Sequence, residues 1–397
     1  MMRRLLLCII ITLLFWFPFL SRAAAYNFVE IARGDGFGGG PFTQFQSGGI
    51  AINDVGRVVF RGNLDPSGTE GLFTGTGGPV TTIVTKDDFV YASFTEPTID
   101  NNGTVLFRAG TSTTDVAVLG GNGGSYTTYA PAPADPFIGP NWGGYVINNN
   151  GTVVLNGGVT FVTALYKSTG SGGPSLLYDS AGIDGIGAFY NTDINDSGGI
   201  AAIAGPNVGI RDSIVLGDAN GMTLEPIVAP GDGFVEFTGI SINDIGTVAF
   251  GAKVAGGPLS IYTGNTTTGL IEIANLSGPY SMFNYSPAIN NAGTVAFFAQ
   301  LDTGGVGIFT GPDPISDKVI ATGDLLFDSI VTNLVFDRFG LNNGGQLAFW
   351  ASLANGNSVI VRVDPQVVEP IPEPTTMLLL GSGIIGLVGF RRKFRKK

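Results

Sequence analysis

The most regular feature of the chain is a polar turn that recurs seven times between apolar segments. Each copy begins with Ile or Leu, continues through polar residues to a glycine, and is followed by a new apolar segment. The glycines of successive copies are 47, 48, 47, 48, 47 and 52 residues apart. A period of this length is typical of repeat architectures. The seven copies occupy residues 52–56, 99–103, 147–151, 194–198, 242–246, 289–293 and 341–345.

The polar residue and the glycine of each copy predict a tight turn between two strands. An Asn or Asp at the first polar position caps its own backbone two residues on. The glycine three residues later adopts the left-handed conformation that closes such a turn. The predicted turn residues include Asn53, Gly56, Asn148, Gly151, Asn195, Gly198, Asn243, Gly246, Asn290, Gly293, Asn342 and Gly345.

The segments around each turn predict strands that are buried on both faces. Three consecutive apolar residues follow most of the glycines, as at residues 248–250 and 295–297, and such runs are typical of strands covered on both sides. Two more strand segments complete each period, and a Gly-Asp loop leads to the next one. Four strands in each of seven periods favour an all-β, seven-bladed β-propeller of four-stranded blades, with a β-solenoid as the alternative.

The repeat is split between the two ends of the predicted domain, which covers residues 26–364. The last period stops after its third strand at residues 358–363, and residues 28–32 form an additional copy of the fourth strand. Pairing of these two segments closes the ring and removes two exposed sheet edges. We therefore expect the N-terminal strand to close the propeller, an arrangement that a solenoid does not explain.

Composition limits the chemistry of this domain. The chain contains 62 glycines and no histidine, and Cys8 is its single cysteine. The lack of histidine excludes Ser-His-Asp triads and histidine zinc sites. Paired carboxylates are the remaining catalytic option, but Asp35, Asp232 and Asp324 recur at equivalent loops, which favours a role in turns. We expect no catalytic residues, no metal site and no cofactor, and the acidic loops leave only calcium open.

The net charge of the repeat domain argues against nucleic acid as a partner. All 31 acidic residues lie within residues 26–374, whereas only 11 of the 20 Lys and Arg residues do. This part of the chain therefore carries a net charge of −20. Such a surface repels phosphate backbones.

The first 25 residues predict a secretory signal peptide. Arg3 and Arg4 precede an apolar run over residues 5–20, and Ala23 and Ala25 provide the small residues of a cleavage site. This order of basic start, apolar core and small residues is typical of exported proteins. We expect cleavage after Ala25.

The C-terminal segment predicts a membrane-directed tail in three parts. A Pro-rich linker over residues 365–374 ends in Pro372, Glu373 and Pro374, and an apolar transmembrane helix is predicted over residues 375–390. A basic tail over residues 391–397 follows, and such tails stay on the cytoplasmic side. The tail begins with the basic cluster Arg391, Arg392 and Lys393.

This tail resembles the PEP-CTERM sorting tail of exported proteins in Gram-negative, exopolysaccharide-producing bacteria. The resemblance implies recognition of residues 372–374 by a membrane-embedded exosortase, and a plain membrane anchor is the alternative. The turns resemble the Asn-x-x-Gly-x-x-Ala-Phe tandem repeats of bacterial surface proteins with interchangeable C-terminal anchors. Residues 243–250 and 290–297 match that pattern fully, whereas the third copy has Leu155 in place of Phe.

Together these features favour a non-enzymatic cell-surface or extracellular-matrix protein that contributes to adhesion or to exopolysaccharide and biofilm organisation. The expected partners are the Sec export machinery, an exosortase and exopolysaccharide, with the membrane as a partner before processing. The protein is expected to cross the inner membrane and to reach the cell surface or the medium. The alternative is a carbohydrate-active enzyme with paired carboxylates on propeller loops.

Overall fold

The structure is a computed structural model that describes residues 26–366 except 37–39, 113–115, 132–143, 160–161, 181–185, 208, 219 and 222–223. The predicted signal peptide, sorting motif, apolar helix and basic tail lie outside the described residues. Within the described part of the chain, no helix is long and apolar enough to cross a membrane.

The described residues are nearly all-β, with one 3₁₀ helix at Lys86–Asp88. In chain order the first strands are β1 (Tyr26–Gly34), β2 (Phe42–Phe45), β3 (Ala51–Ile52), β4 (Val58–Leu64), β5 (Glu70–Gly75), β6 (Thr81–Thr85), β7 (Tyr91–Ser93), β8 (Val105–Gly110), β9 (Val116–Gly121), β10 (Thr127–Ala130), β11 (Tyr145–Ile147), β12 (Val153–Val159), β13 (Val162–Ser168) and β14 (Ser175–Asp179). The others are β15 (Ala188–Ile194), β16 (Gly199–Gly205), β17 (Ser213–Asp218), β18 (Leu224–Val228), β19 (Phe234–Ile242), β20 (Val248–Val254), β21 (Leu259–Asn265), β22 (Gly269–Asn275), β23 (Tyr280–Ile289), β24 (Val295–Leu301), β25 (Val306–Phe309), β26 (Lys318–Ala321), β27 (Leu325–Leu326), β28 (Ser329–Val335), β29 (Leu347–Leu353) and β30 (Ser358–Pro365).

Most strands belong to four-stranded antiparallel sheets in which strands adjacent in sequence pair with each other. Five separate sheets have this form, namely β7–β10, β11–β14, β15–β18, β19–β22 and β23–β26. The remaining strands form one ten-stranded sheet whose path contains two more four-stranded units, β28-β29-β30-β1 and β2-β4-β5-β6. One parallel pair, Gly34 with Phe42, joins these two units. The fold is therefore propeller-like.

The N-terminal strand completes the sheet of the last repeat, as the split repeat predicts. Strand β1 runs antiparallel to β30, with Tyr26 opposite Pro365 at one end and Gly34 opposite Ser358 at the other. Ile31 of β1 is only 3% exposed and packs in an apolar cluster with Phe60 of the first sheet. The first strand of the domain thus joins the last repeat to the first one.

Apolar layers between neighbouring sheets explain the runs of three apolar residues. Val248 and Phe250 belong to the layer shared with the preceding sheet, whereas Ala249 between them belongs to the layer shared with the following sheet. Because side chains of a strand alternate between the two faces, each such run fills two layers at once. Seven layers of this kind join consecutive sheets and lead from the last sheet back to the first.

We expect Ile31→Ala to lower the free energy of unfolding of the whole domain by about 2–5 kcal/mol, because it opens a cavity where the first and last repeats meet. Urea unfolding of the exported protein, followed by circular dichroism, measures the change. Asn27→Ala is the control, because Asn27 lies exposed on the same strand and its loss should cost less than about 0.5 kcal/mol. Equal unfolding midpoints for the two variants would contradict closure by β1.

Candidate functional site

The seven polar turns have one common backbone geometry. In every copy the Oδ1 atom of the first polar residue accepts a hydrogen bond from the N–H group four residues further on, at 2.6–2.9 Å. The glycine of each copy has φ between 74° and 84°, a region that favours glycine. The sequence pattern predicts a bond to the N–H group two residues on. In the third and sixth turns Asn148 and Asn290 make that bond as well.

The same asparagines connect each turn to the next one. The Nδ2 atom of Asn53 donates to the carbonyl oxygen of Asp100 at 2.8 Å, and that of Asn342 donates back to the carbonyl oxygen of Asn53 at 2.8 Å. Four further asparagines make the equivalent bond to the following turn, namely Asn148, Asn195, Asn243 and Asn290. The second turn has Asp100 at this position, and a carboxylate cannot supply the amide donor.

The next residue of each turn forms a second, complete ring of hydrogen bonds. Its backbone N–H donates to the side-chain Oδ1 atom of the equivalent residue in the following turn, at 2.7–2.9 Å. The seventh residue donates to the first, so the series closes. We call the two series together the turn ring. The residues of the second series are Asp54, Asn101, Asn149, Asp196, Asp244, Asn291 and Asn343.

The sequence pattern predicts a role for these residues only within their own turns. A residue that caps its own turn needs only an acceptor, and Ser or Thr can provide it. Six of the seven first positions are nevertheless Asn, whose side chain is both donor and acceptor. All seven second positions are Asp or Asn. This restriction to Asn and Asp is the feature of the sequence from which hydrogen bonds between the turns could have been predicted.

Residues 337–340, which we call the plug, reach the space that the turn ring surrounds, because Arg338 and Phe339 line the same cavity as the turn residues. After β28 the chain leaves the strand path and forms a turn in which the Gly340 N–H donates to the Asp337 carbonyl oxygen at 2.8 Å. The Oδ2 atom of Asp337 accepts the N–H of Ile50 at 3.0 Å. The N–H of Ile52 donates to the carbonyl oxygen of Phe339 at 2.9 Å. These bonds attach the plug to the first repeat.

Arg338 attaches the plug to the opposite side of the ring. Its Nη1 atom donates to the carbonyl oxygens of Thr192 and Ile240, both at 3.1 Å. The side chain is 9% exposed, and its guanidinium carbon lies 4.3 Å from the ring centroid of Phe339, a geometry that favours a cation–π interaction. The plug therefore contacts the first, fourth and fifth repeats at once.

Asp193 is a buried carboxylate inside the ring. Its two oxygens accept the N–H groups of Ile194 and Ile242, each at 3.0 Å. Burial raises the pKa of Asp193 to about 6, although the positive charge of Arg338 lowers it. Burial also raises the pKa of Asp337 in the plug.

The plug separates two cavities. The first, of about 140 Å³, is lined by the turn ring together with Asp193 and Arg338. The second, of about 170 Å³, is lined by Glu96, Asn191, Thr238 and Ser286, by the segments 49–50 and 96–97, and by plug residues. Its lining residues lie two to four positions before the turns, which corresponds to about 7–13 Å along a strand. We call it the mouth cavity, because it lies away from the turn ring.

The recurring loop aspartates form turns. Asp232 and Asp324 each accept the N–H of the residue three positions earlier, at 2.9 and 2.8 Å, and Asp35 accepts the N–H of Gly40 at 3.2 Å. Among the residues that the structure describes, no group of three or more His, Cys, Asp or Glu side chains is placed to hold a metal ion. The sequence-predicted cleavage and sorting residues lie outside the described ranges.

One family model matches the chain. The PEP-CTERM protein-sorting motif matches residues 370–393, which confirms the predicted PEP-CTERM tail. This motif indicates an exported protein that is sorted to the cell surface and processed by an exosortase. No curated protein matches the sequence of the chain.

Solved structures with similar folds have little sequence in common with this chain. An oligogalacturonate lyase from Vibrio parahaemolyticus is 12% identical with a TM-score of 0.52, over 88% of this chain and 100% of that one. An oligogalacturonate lyase in complex with manganese is 10% identical with a TM-score of 0.54, over 87% and 99% of the two chains. A prolyl endopeptidase has a TM-score of 0.50 at 10% identity, over 82% of this chain and 50% of that one. These similarities show the fold alone.

The turn ring predicts opposite effects for two matched substitutions. Asp100→Asn supplies the amide that the second turn lacks, and we expect the free energy of unfolding to rise by about 0.5–1.5 kcal/mol. Asn195→Asp removes the donor that bonds the Asn243 carbonyl oxygen at 2.7 Å, and we expect a loss of about 1–3 kcal/mol. Urea unfolding measures both. Destabilisation by both substitutions to the same extent would contradict the linking role of the amides.

The raised pKa of Asp193 predicts a pH dependence of stability. The folded state favours the protonated side chain, so this stabilising contribution is full below the unfolded pKa of about 3.9 and is lost as the pH rises through about 6. We therefore expect the free energy of unfolding of the wild type, relative to Asp193→Asn, to fall by roughly 2–3 kcal/mol between about pH 4 and pH 7.5. Unfolding of both proteins across that range measures it, and a constant difference would contradict the prediction.

Proposed function

We propose that this chain is an exported cell-surface or extracellular-matrix protein whose seven-bladed propeller takes part in adhesion or in organising exopolysaccharide. The observation that carries the proposal is the PEP-CTERM sorting motif at residues 370–393, next to an acidic all-β domain. The predicted signal peptide supports export through the inner membrane of a Gram-negative bacterium. The Asn-x-x-Gly repeats support kinship with surface proteins that carry interchangeable anchors.

Several features of the described residues support seven blades. Seven turns join in one closed ring of hydrogen bonds, and seven apolar layers lead round the domain. In this interpretation β28-β29-β30-β1 is the seventh blade, and β2-β4-β5-β6 is the first. The predicted apolar helix at residues 375–390 would hold the precursor in the membrane until an exosortase cleaves near residues 372–374.

The recurring carboxylates of the propeller loops favour a binding role over an enzymatic one, because they are engaged in holding their own loops. The side chains of Asp232 and Asp324 bond to backbone N–H groups of their own loops, which is a structural task.

A glycan-active enzyme is the second candidate, because Glu96 and Asp337 both line the mouth cavity and two carboxylates suffice for glycoside hydrolysis. Turnover of a glycan by the exported protein, lost in Glu96→Gln, would favour this candidate.

Replacement of residues 372–374 by three alanines tests the sorting step. We expect the protein to stay in the membrane fraction of the producing cells with an uncleaved tail, because the exosortase no longer recognises it. Immunoblotting of cell fractions and mass spectrometry of the C-terminus measure the outcome. The control is replacement of residues 367–369 by three alanines, because this segment lies just before the matched residues 370–393 and contains Glu369 as the motif contains Glu373.

The same cells test the surface role. We expect the wild type to co-sediment with the exopolysaccharide of its own host, and the triple-alanine variant at residues 372–374 to be missing from that fraction. Normal cleavage of the motif variant would contradict exosortase sorting. Absence of the correctly processed wild type from the exopolysaccharide fraction would contradict the proposed role in organising that material.

A further inference from the structure

The mouth cavity differs from the turn ring in how its polar groups are used. Glu96, Asn191, Thr238 and Ser286 line it from four different repeats. Among the residues that the structure describes, none of these four side chains has a hydrogen-bond partner. In the turn ring, by contrast, the amides and carboxylates bond to one another. The mouth cavity therefore holds a set of polar groups that an external molecule can bind.

Two glycines allow the hydroxyl groups to lie close to neighbouring strands. A Cβ atom on Gly239 would lie 1.6 Å from the Oγ atom of Ser286, and one on Gly251 would lie 2.1 Å from the Oγ1 atom of Thr238. Both distances are far below van der Waals contact, so a side chain at either glycine would displace the hydroxyl. The sequence thus keeps space for these hydroxyl groups at the wall of the cavity.

Glu96 lies at the exposed side of the cavity with an unusual backbone conformation. Its φ of 50° is in the left-handed region, and the following Pro97 restricts its backbone further. A non-glycine residue in this region is strained, and such residues cluster at binding and active sites. The strained backbone of Glu96 and the unbonded side chains therefore lie at the same cavity.

The chemistry of the lining fits a small, uncharged, hydroxyl-rich group. The side chains offer an amide, two hydroxyls and a carboxylate, so donors and acceptors are both present. Ile50 and Pro97 add apolar surface to the wall. The volume of about 170 Å³ is below the ~300–1,000 Å³ of sites that enclose drug-sized ligands, so it admits one ring-sized group. The net charge of −20 on residues 26–374 opposes the approach of a polyanion.

We infer that the mouth cavity binds an uncharged saccharide residue of an extracellular polysaccharide. The inference rests on the proposed function as an exopolysaccharide-organising surface protein, and it adds the position of the site and the class of the ligand. Asn191, Thr238 and Ser286 bond the hydroxyl groups of the sugar. Glu96 accepts from a further hydroxyl at the entrance, and the plug forms the floor.

The test measures binding of short saccharides to the processed protein recovered from the producing cells. Saturation-transfer NMR and calorimetry are run with the neutral disaccharides cellobiose, mannobiose and galactobiose, with digalacturonate as an anionic probe, and with calcium chloride alone. We expect at least one neutral disaccharide to bind. Thr238→Val and Asn191→Ala should each weaken that binding by about three- to tenfold, and their combination should weaken it further.

Thr267→Val is the matched control, because Thr267 is exposed in the loop between β21 and β22 and is not among the residues that line the cavity. It should leave the dissociation constant unchanged within about twofold. Glu96→Gln keeps an acceptor oxygen at the entrance and should weaken a neutral sugar by only a small factor. Unchanged binding of the neutral disaccharide by Thr238→Val and Asn191→Ala would overturn the inference, as would binding of digalacturonate or of calcium without binding of any neutral disaccharide.

Co-sedimentation with the exopolysaccharide of the host separates this inference from the proposed function. If the wild type co-sediments and the Thr238 and Asn191 variants co-sediment equally well, the surface role stands and the mouth cavity is not the site. If no neutral disaccharide binds to the wild type, the ligand class is wrong. If the wild type itself does not co-sediment, the proposed function fails as well.

Discussion

The burial of every sheet on both faces is the constraint on which the rest of the structure depends. A sheet with two apolar faces cannot end a stack, because its outer face would remain in water. Each sheet therefore needs two neighbours, and only a closed ring provides them for all. Strand β1 meets this requirement by pairing with β30 and by placing Ile31 in the layer between the last and first repeats.

Closure brings the seven turns together, and their polar backbone groups then need hydrogen-bond partners in the neighbouring turns. Strands that converge on an axis bring backbone carbonyl and N–H groups into a space with little room for water. Unpaired groups there would cost about 1–3 kcal/mol each. Asparagine at six of the seven first positions and an oxygen acceptor at every second position bond these groups without any outside molecule. Polar residues at the turns are thus part of the core of the ring.

Departure from the repeat at residues 337–340 creates an asymmetric region inside the ring. Seven equivalent strands would leave an open passage along the axis, whereas residues 337–340 enter it from one side. The plug carries Arg338 into a region where the nearest carboxylates, Asp193 and Asp337, have raised pKa values. Its charge offsets part of the cost of burying them. The same segment provides the floor of the mouth cavity, so the asymmetry that stabilises the ring also shapes its binding surface.

Much of the fold could be predicted from the sequence, because repetition amplifies weak local signals. One Ile–Asn–x–x–Gly turn predicts little, but seven copies at a nearly constant spacing predict the sheets, the burial on both faces and the pairing of β1 with β30. The plug could not be predicted in this way. Phe336 and Leu341 match the aromatic and apolar positions of the other repeats, so the pattern continues through the plug. Only contacts with distant strands, such as Arg338 with Thr192 and Ile240, move this segment out of the strand.

The position of the end of β30 shows on which face of the domain the chain continues toward its tail. Pro365, the last residue of β30, lies near the seventh turn, since a Cβ atom on Gly345 would be 3.5 Å from its ring. Asp364 bonds Gln346 of the same turn at 2.6 Å. The chain therefore leaves the domain on the face of the turn ring. At most ~3.3–3.6 Å per residue, the nine residues from 366 to 374 can bridge no more than about 30 Å between this face and whatever holds the tail. The mouth cavity lies on the opposite side of the plug, and in a protein attached by its tail it would face the surroundings of the cell.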